Sequence, residues 1–146
     1  MFFVCLLWQV ICPGADKAEY RTETIRGKVV FLAEAFEKQT GIAAVPEARE
    51  RVLALETADG TLVALLEDVR GRAFRRDERL REMAVELTVR RYPQSPLAQI
   101  IRVVEVAKDG RFEIDYWCDI CAIPMFEKKD CECCQGPVQL RRRKVD

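Results

Sequence analysis

Apolar and polar residues alternate along much of the chain, and this is the pattern of β-strands with one buried face. The clearest case is Ala84–Arg91, in which Val85, Leu87 and Val89 alternate with polar side chains. Other segments show shorter alternation or apolar runs between turn residues. The pattern predicts six strands, at residues 24–32, 52–56, 61–66, 84–91, 97–106 and 111–117.

Glycines indicate where these strands turn or meet closely. Asp59-Gly60 and Asp109-Gly110 each separate two predicted strands, and Asp-Gly between apolar alternations is a strong hairpin signal. Gly27 lies inside the first predicted strand, where glycine indicates a bulge or a close backbone approach. Two hairpins are therefore expected, together with a bulge or a close backbone approach in the first strand.

The helices predicted from the sequence are short. Residues 33–40 are expected to form one that ends at Gly41, because glycine readily adopts the left-handed conformation there. Asp77 is expected to cap a second helix that runs to residue 83. The arginine-rich segment 68–76 is predicted as a loop.

The order of elements is a strand, a hairpin, a short helix, a strand and a second hairpin. This order is similar to that of an OB-fold, a small Greek-key barrel of five strands. We therefore predict a mainly β protein, with an OB-like barrel of five or six strands over residues 24–117 and short helices. Another small β-barrel or an α+β sheet is the alternative.

The first twelve residues are almost entirely apolar. They are too few to span a bilayer, which takes about 20 residues, so no transmembrane segment is predicted. Their length fits the core of a signal peptide, with Gly14 and Ala15 as small residues for cleavage. We expect residues 1–15 to be a signal peptide and the protein to be exported or periplasmic. A misassigned start or a loosely packed segment is the alternative, and the protein would then be cytoplasmic.

Five cysteines lie close together near the C-terminus. Cys118 with Cys121 and Cys131 with Cys134 form two Cys-x2-Cys pairs, the spacing of a four-cysteine zinc site. Four thiolates around Zn²⁺ leave no open position, so the predicted ion is structural. We therefore predict a zinc knuckle over residues 118–140, in which Cys133 is either a substitute ligand or a free thiol.

Other chemistry remains open for the same cysteines. One or two disulfides would form in an oxidising compartment, which agrees with an exported protein. A thiol-based site or an iron–sulfur or other metal centre is a further alternative. Gly136 is expected to supply a permissive backbone after the second pair, with Phe126, Val138 and Leu140 packed beneath the turns.

Composition excludes several catalytic classes. The chain has no histidine, which excludes Ser-His-Asp and Cys-His catalysis as well as histidine ligands to a metal. Neighbouring carboxylates are adjacent in sequence and do not converge on one site, so no acid–base role is assigned. The 24 basic and 24 acidic residues cancel, so no overall charge draws the protein to nucleic acid or anionic lipid. We expect a protein that is not an enzyme.

Two basic segments are candidates for binding an anionic partner. The first holds Arg70, Arg72, Arg75, Arg76, Arg79 and Arg81. Acidic residues are interleaved with these arginines, which favours a solvated surface with local ion pairs over a phosphate-binding loop. The second is the basic tail at residues 141–146, for which a disordered solubilising terminus is favoured over contact with nucleic acid or an acidic partner.

Two resemblances rest on these motifs. The C-terminal third resembles a zinc ribbon, with Cys133 as a departure from the pattern. From Thr24 onward the chain is similar to an uncharacterised family of bacterial proteins, many of them exported. The segments that carry this second resemblance are ALETADG at 54–60, RAF at 72–74, YWCDIC at 116–121 and CCQGP at 133–137. The family resemblance implies export but no activity.

The leading hypothesis is a small, monomeric, non-enzymatic binding module stiffened by structural zinc, with an unknown protein partner. A thiol redox or metal-handling protein that uses Cys133 is one alternative. Binding of single-stranded nucleic acid through the barrel face and the arginine tail is another, less favoured alternative.

Overall fold

A computed structural model of the protein describes residues 19–146. In chain order its elements are β1 (Arg21–Phe31), α1 (Leu32–Thr40), a short 3-10 helix (Pro46–Ala48), β2 (Leu53–Glu56), β3 (Leu62–Ala64), α2 (Val69–Arg76), α3 (Glu78–Glu82), β4 (Ala84–Arg91), β5 (Ala98–Ala107), β6 (Gly110–Cys118), β7 (Ile123–Met125) and β8 (Gln139–Val145). Across residues 19–146, no helix combines the length and apolar character that crossing a membrane requires. The signal peptide predicted at residues 1–15 lies outside the described part of the chain.

The strands form one antiparallel sheet in the order β3-β2-β1-β4-β5-β6-β7, and β8 also pairs with β6. Because β8 follows one edge of β6 from Arg111 to Trp117, β5 and β7 share the opposite edge. The mainly β prediction is confirmed. The sheet is open, so the barrel predicted over residues 24–117 is not confirmed.

All six predicted strands occur, β4 with the predicted bounds and the others with ends shifted by a few residues, and the structure adds β7 and β8. Neither β7 nor β8 was predicted, because neither has the sequence pattern of a strand. Pro124 lies at the centre of the three-residue β7, and proline argues against a strand because it cannot donate a ladder hydrogen bond. β8 carries consecutive cationic residues without alternation.

The predicted loop at 68–76 is wrong, because helix α2 occupies Val69–Arg76. The side chain of Asp68 caps this helix by accepting hydrogen bonds from the backbone N–H groups of Arg70 and Gly71, at 3.1 and 3.2 Å. A β-carbon on Gly71 would lie 2.2 Å from the Leu66 carbonyl oxygen, so glycine here permits close packing of the helix on the preceding chain. Gly71 and the arginines led to the loop prediction, although the segment forms an amphipathic helix that buries Phe74.

The core lies between the sheet and helices α2 and α3. Val85, Leu87 and Val89 of β4 are fully buried, as their alternation predicts, and they pack in one cluster with Phe74 and Leu80. Each such side chain contributes about 2 kcal/mol when removed from water.

The C-terminal strand corrects the predicted disordered tail. β8 pairs along β6, and its arginines form ion pairs with carboxylates of the neighbouring strands. Arg141 donates to both oxygens of the buried Asp115, at 2.8 and 2.7 Å. Arg142 pairs with Glu105 at 2.6 Å, and Arg143 pairs with Glu113 at 3.1 Å. These arginines therefore fasten the last strand to the sheet.

Gly27 provides a stability test of the sheet. A β-carbon at this position would lie 2.0 Å from the Glu56 carbonyl oxygen, which confirms the predicted close approach. We expect Gly27→Ala to lower the free energy of unfolding by about 3 kcal/mol, because the backbones of β1 and β2 must separate. Gly41→Ala is the comparison, since only its φ of 74° penalises a side chain there, at about 1 kcal/mol. Urea denaturation measures both changes, and a Gly27→Ala loss no greater than that of Gly41→Ala would contradict this account.

Candidate metal centre

The first cysteine turn begins at the end of strand β6. Cys118 is the last residue of β6, and the chain reverses into β7 across Cys121. The backbone N–H of Ala122 donates to the Cys118 carbonyl at 2.8 Å, and Ala122 has a left-handed φ of 53°. The backbone N–H of Cys121 also points at the Cys118 sulfur, at 3.5 Å. The strand therefore fixes the position of this turn.

The second cysteine turn repeats the geometry of the first. The backbone N–H of Gln135 donates to the Cys131 carbonyl at 2.9 Å, and Gln135 has a left-handed φ of 58°. In both turns, then, the residue after the second cysteine closes the loop on the first cysteine. A further hydrogen bond, from the Cys131 N–H to the Gly136 carbonyl at 2.8 Å, holds the second turn.

Gly136 has a different role from the predicted one. The left-handed residue is Gln135, so Gly136 does not supply the unusual backbone angle. A β-carbon on Gly136 would instead lie 3.0 Å from the Ile120 side chain and 3.3 Å from the Cys134 sulfur. Glycine therefore allows the two turns to approach each other.

The structure brings the four predicted cysteines together. The sulfurs of Cys118, Cys121, Cys131 and Cys134 all lie within 4.8 Å of one another, and Cys118 and Cys134 are 3.5 Å apart. Sulfurs at the corners of a tetrahedron around zinc are separated by about 3.8 Å, given zinc–sulfur bonds of about 2.3 Å. Cys118 and Cys131 are buried, and the other two are partly buried. This group of thiols can hold one metal ion.

The surroundings of the sulfurs shift the pKa values of these thiols in opposite directions. The backbone N–H groups of Cys134 and Cys133 donate to the Cys131 sulfur and lower the pKa of that thiol to about 7. The neighbouring sulfurs of Cys133 and Cys134 raise the pKa of Cys121, because a thiolate there would face other sulfurs at short range. A divalent cation among these sulfurs would oppose that repulsion and stabilise the thiolate form of the cysteines that bind it.

Cys133 differs from the other four cysteines near the C-terminus in its exposure. It is exposed, and its backbone rather than its sulfur supports Cys131. In the described residues, the five cysteines near the C-terminus form no disulfide. The group of four sulfurs that lie within 4.8 Å of one another does not include Cys133, whose sulfur lies beside Cys121.

The segment between the turns is anchored by a carboxylate that the sequence did not single out. Glu127 is only 1% exposed, and its oxygens accept hydrogen bonds from Arg72 of α2 at 2.5 and 3.0 Å. Lys129 adds a third ion-pair contact at 3.1 Å. Glu127 lies among charged neighbours in sequence, so only its fold contacts identify it. It ties the cysteine loop to helix α2.

The predicted supports of the turns divide into two groups. Val138 and Leu140 pack against the core as expected. Phe126 does not, because its ring is partly exposed and is covered by the Arg70 guanidinium at 3.6 Å. Trp117, next to Cys118, is likewise covered by Arg141 at 3.8 Å. Arginines thus cover the aromatic rings that are close in sequence to the first cysteine turn.

Asp77 and Tyr116 form a buried polar contact beneath α3. The Tyr116 hydroxyl donates to Asp77 at 2.8 Å, and Arg79 donates to both oxygens of the same carboxylate. The hydrogen bond from Arg79, followed by that from Tyr116, outweighs burial and lowers the pKa of Asp77 from 3.8 to about 2. Asp77 also caps α3, as the sequence predicted.

This lowered pKa predicts a pH-dependent loss of stability. The folded pKa of Asp77 is below the unfolded one, so its contribution is complete above about pH 4 and is lost as the pH falls towards 2. We expect Asp77→Asn to lower the free energy of unfolding by about 2 kcal/mol at neutral pH, and the difference from wild type to shrink between pH 4 and 2. Urea denaturation across this range measures it. Acid removes a thiolate-bound metal from both proteins, so the difference in free energy of unfolding between them reports the titration of Asp77. A difference that stays constant between pH 4 and 2 would contradict the lowered pKa of Asp77.

Three of the six arginines in the arginine-rich segment form close ion pairs, which agrees in part with the surface of local ion pairs that the sequence favoured. Arg72 pairs with Glu127, Arg75 with Glu67 at 2.6 Å, and Arg79 with Asp77. These pairs order the surface around α2 and α3.

Comparison with known proteins gives no assignment: no protein-family model, curated protein or solved structure matches the chain.

Proposed function

We propose that this protein is a small, non-enzymatic binding module whose C-terminal cysteines bind one structural Zn²⁺. The observation that carries the proposal is the convergence of four sulfurs within 4.8 Å from two turns of the same geometry. Zinc is favoured because four thiolates in a tetrahedron suit it and leave no position open for substrate or water. The ion has a structural role in this proposal because it would close a loop that has little core of its own.

The proposed ion would connect two parts of the sheet. Cys118 ends β6 and Cys121 follows it, whereas Cys131 and Cys134 precede β8. Metal bonds between the two turns therefore reinforce the pairing of the last strand with β6. Since the energy of binding metal is then available for folding, the C-terminal segment is expected to depend on the ion.

The strand pairing supports an OB-like arrangement for the binding body. β1 pairs with both β2 and β4, β4 pairs with β5, and Leu65 beside β3 meets Ala98 of β5 in a parallel bridge. In an OB-fold the first strand also pairs with the second and fourth, and the third runs parallel to the fifth in a partly open barrel. Helices α2 and α3 lie between β3 and β4, where that fold commonly has a helix.

Native mass spectrometry of the purified protein tests the metal proposal. We expect one zinc ion per chain, lost on treatment with a chelator. The thiols of Cys118, Cys121, Cys131 and Cys134 should be protected from alkylation until the metal is removed, whereas the exposed Cys133 should react in the metal-loaded protein. A protein without stoichiometric metal, in which the cysteines are paired as disulfides, would contradict the proposal.

A second function is favoured by one observation, the exposed thiol of Cys133 at the border of the cluster. The exposed Cys133 sulfur beside Cys121 can react with a thiol-modifying reagent, or it can bind the metal while the ion passes to a competing chelator. Thiol redox chemistry or metal handling would then be the activity. Metal transfer to a competing chelator that slows markedly in Cys133→Ser would favour this function over a structural ion, and an unchanged rate would exclude it.

A further inference from the structure

A cationic cleft lies where α2 ends and α3 begins. It has a volume of about 420 Å³ and opens beside the loop that joins the cysteine turns. Five cationic side chains and two carboxylates line it: Arg75, Arg76, Asp77, Glu78, Arg79, Arg81 and Lys128. Positive charge therefore collects in a concave surface, where it acts more strongly than on a flat one.

Part of this charge is neutralised within the protein. Arg75 pairs with Glu67, which lies outside the cleft lining, and Arg79 pairs with the buried Asp77. Glu78 is the other carboxylate of the lining, and it is exposed at the start of α3. These pairs do not account for the remaining three cations.

In the part of the chain that the structure describes, Arg76, Arg81 and Lys128 are three cations without a close ion pair, and Glu78 is the one carboxylate of the lining without an ion pair, so the cleft keeps an excess of positive charge. Arg76 comes only within 3.9 Å of Glu127, whose oxygens already accept from Arg72 and Lys129. Within residues 19–146, Arg81 and Lys128 form no ion pair with a carboxylate.

The guanidinium of Arg81 is also held in place. It donates to the backbone carbonyls of Phe74 and Arg75, and it lies 5.0 Å from the centre of the Phe31 ring. A guanidinium that is already ordered loses less freedom when it binds a ligand. Arg76 and Lys128 are exposed at the cleft and can move towards an anion.

We propose that this cleft binds a tetrahedral oxyanion, a phosphate or sulfate group. Planar guanidinium groups match such oxygens with paired hydrogen bonds, and a lysine ammonium adds a point charge. The group arrives either as the free ion or as an ester on a larger molecule, and the chemistry of recognition is the same. The inference deepens the proposed binding function by naming a ligand class, and it rests on that function only through Lys128, which belongs to the cysteine loop.

The test is a nuclear magnetic resonance titration of the full chain, supplied with Zn²⁺ and then analysed for metal, with inorganic phosphate at constant ionic strength. Phenyl phosphate and acetate are titrated in parallel. We expect saturable shifts in the backbone signals of Arg76, Arg79 and Lys128 with both phosphates, and none with acetate. Phenyl phosphate that binds as well as or better than inorganic phosphate identifies an esterified group as the ligand, whereas weaker binding identifies the free ion.

Two exposed substitutions locate the site. Arg76→Gln and Lys128→Gln should each weaken phosphate binding about fivefold, the size expected for one partly exposed charged contact. Lys108→Gln, in the turn between β5 and β6, is the matched control and should bind as wild type. Equal shifts with acetate, no saturation, or wild-type binding by both cleft variants would overturn the proposal.

The metal content of the same sample separates this inference from the proposed function. A metal-loaded protein that ignores phosphate contradicts only the cleft. A protein that binds phosphate but holds no metal contradicts only the zinc centre.

Discussion

Replacing Cys131 by serine will remove the metal and release the segment between β7 and β8. Cys131 is one of the two buried cysteines of the cluster, and its sulfur accepts hydrogen bonds from the amides of Cys133 and Cys134. A hydroxyl is a poor ligand for zinc, and even changes outside the first coordination sphere lower metal affinity 10–100-fold. We therefore expect the affinity to fall by more than about 100-fold. Competition with a chromophoric chelator measures the loss, and hydrogen exchange measures the release of residues 119–138.

Cys133→Ser is the matched control for this experiment. It makes the same chemical change two residues away, at an exposed sulfur outside the four-cysteine group. We expect one bound metal ion, an affinity within a few-fold of wild type and unchanged protection of the C-terminal segment. If Cys133→Ser lost the metal while Cys131→Ser retained it, the assignment of the ligands would be wrong.

Replacing Glu127 by glutamine will destabilise the protein by about 3 kcal/mol. The change preserves shape but removes the negative charge that faces Arg72 and Lys129 from a buried position. Breaking a buried ion pair in this way costs about 3–5 kcal/mol, and the lower value applies here because the arginine is partly exposed. For a chain of this size the melting temperature should fall by about 6–12 °C.

Glu132→Gln provides the comparison for the Glu127 variant. Glu132 belongs to the same loop and pairs with the same Lys129, but its side chain is 73% exposed. An exposed pair contributes about 0–1 kcal/mol, so its loss should barely change the melting temperature. Calorimetry of both variants in their metal-loaded forms measures the difference. Similar melting temperatures for the two variants would show that Glu127 does not anchor the loop to α2.

The predictions that succeeded rest on local patterns. The alternation in β4 is strict, and its bounds were predicted without error at Ala84–Arg91. Asp109-Gly110 specified the hairpin between β5 and β6, in which Gly110 has a φ of 139° that favours glycine. Alternation and turn residues act over a few positions, so a single sequence reveals them.

The predictions that failed concern segments whose structure depends on distant partners. β8 is a strand because Arg141 and its neighbours meet carboxylates on β5 and β6, and without those partners the same residues have the composition of a solvated tail. Likewise, Phe74 is buried only because α2 packs on the sheet. Such contacts join residues far apart in the chain, and the local alternation of apolar and polar residues does not predict them.

The cysteine site shows both situations. Its spacing in sequence identified two turns, and the structure brings their four sulfurs together. Neither the left-handed Gln135 nor the buried Glu127 was foreseen, because both depend on how the turns meet each other and α2. The cysteines of the proposed site can therefore be identified from local spacing, whereas the contacts that hold the two turns in place cannot.

Titration of the metal-free protein with Co²⁺ tests the central claim most directly, because cobalt in a zinc site reports its ligands and geometry by absorption. We predict uptake of one equivalent, with intense visible bands of tetrahedral cobalt and strong sulfur-to-metal charge-transfer absorption, both displaced by one equivalent of Zn²⁺. Weak octahedral bands, or no uptake after complete reduction of the cysteines, would contradict a four-thiolate metal centre.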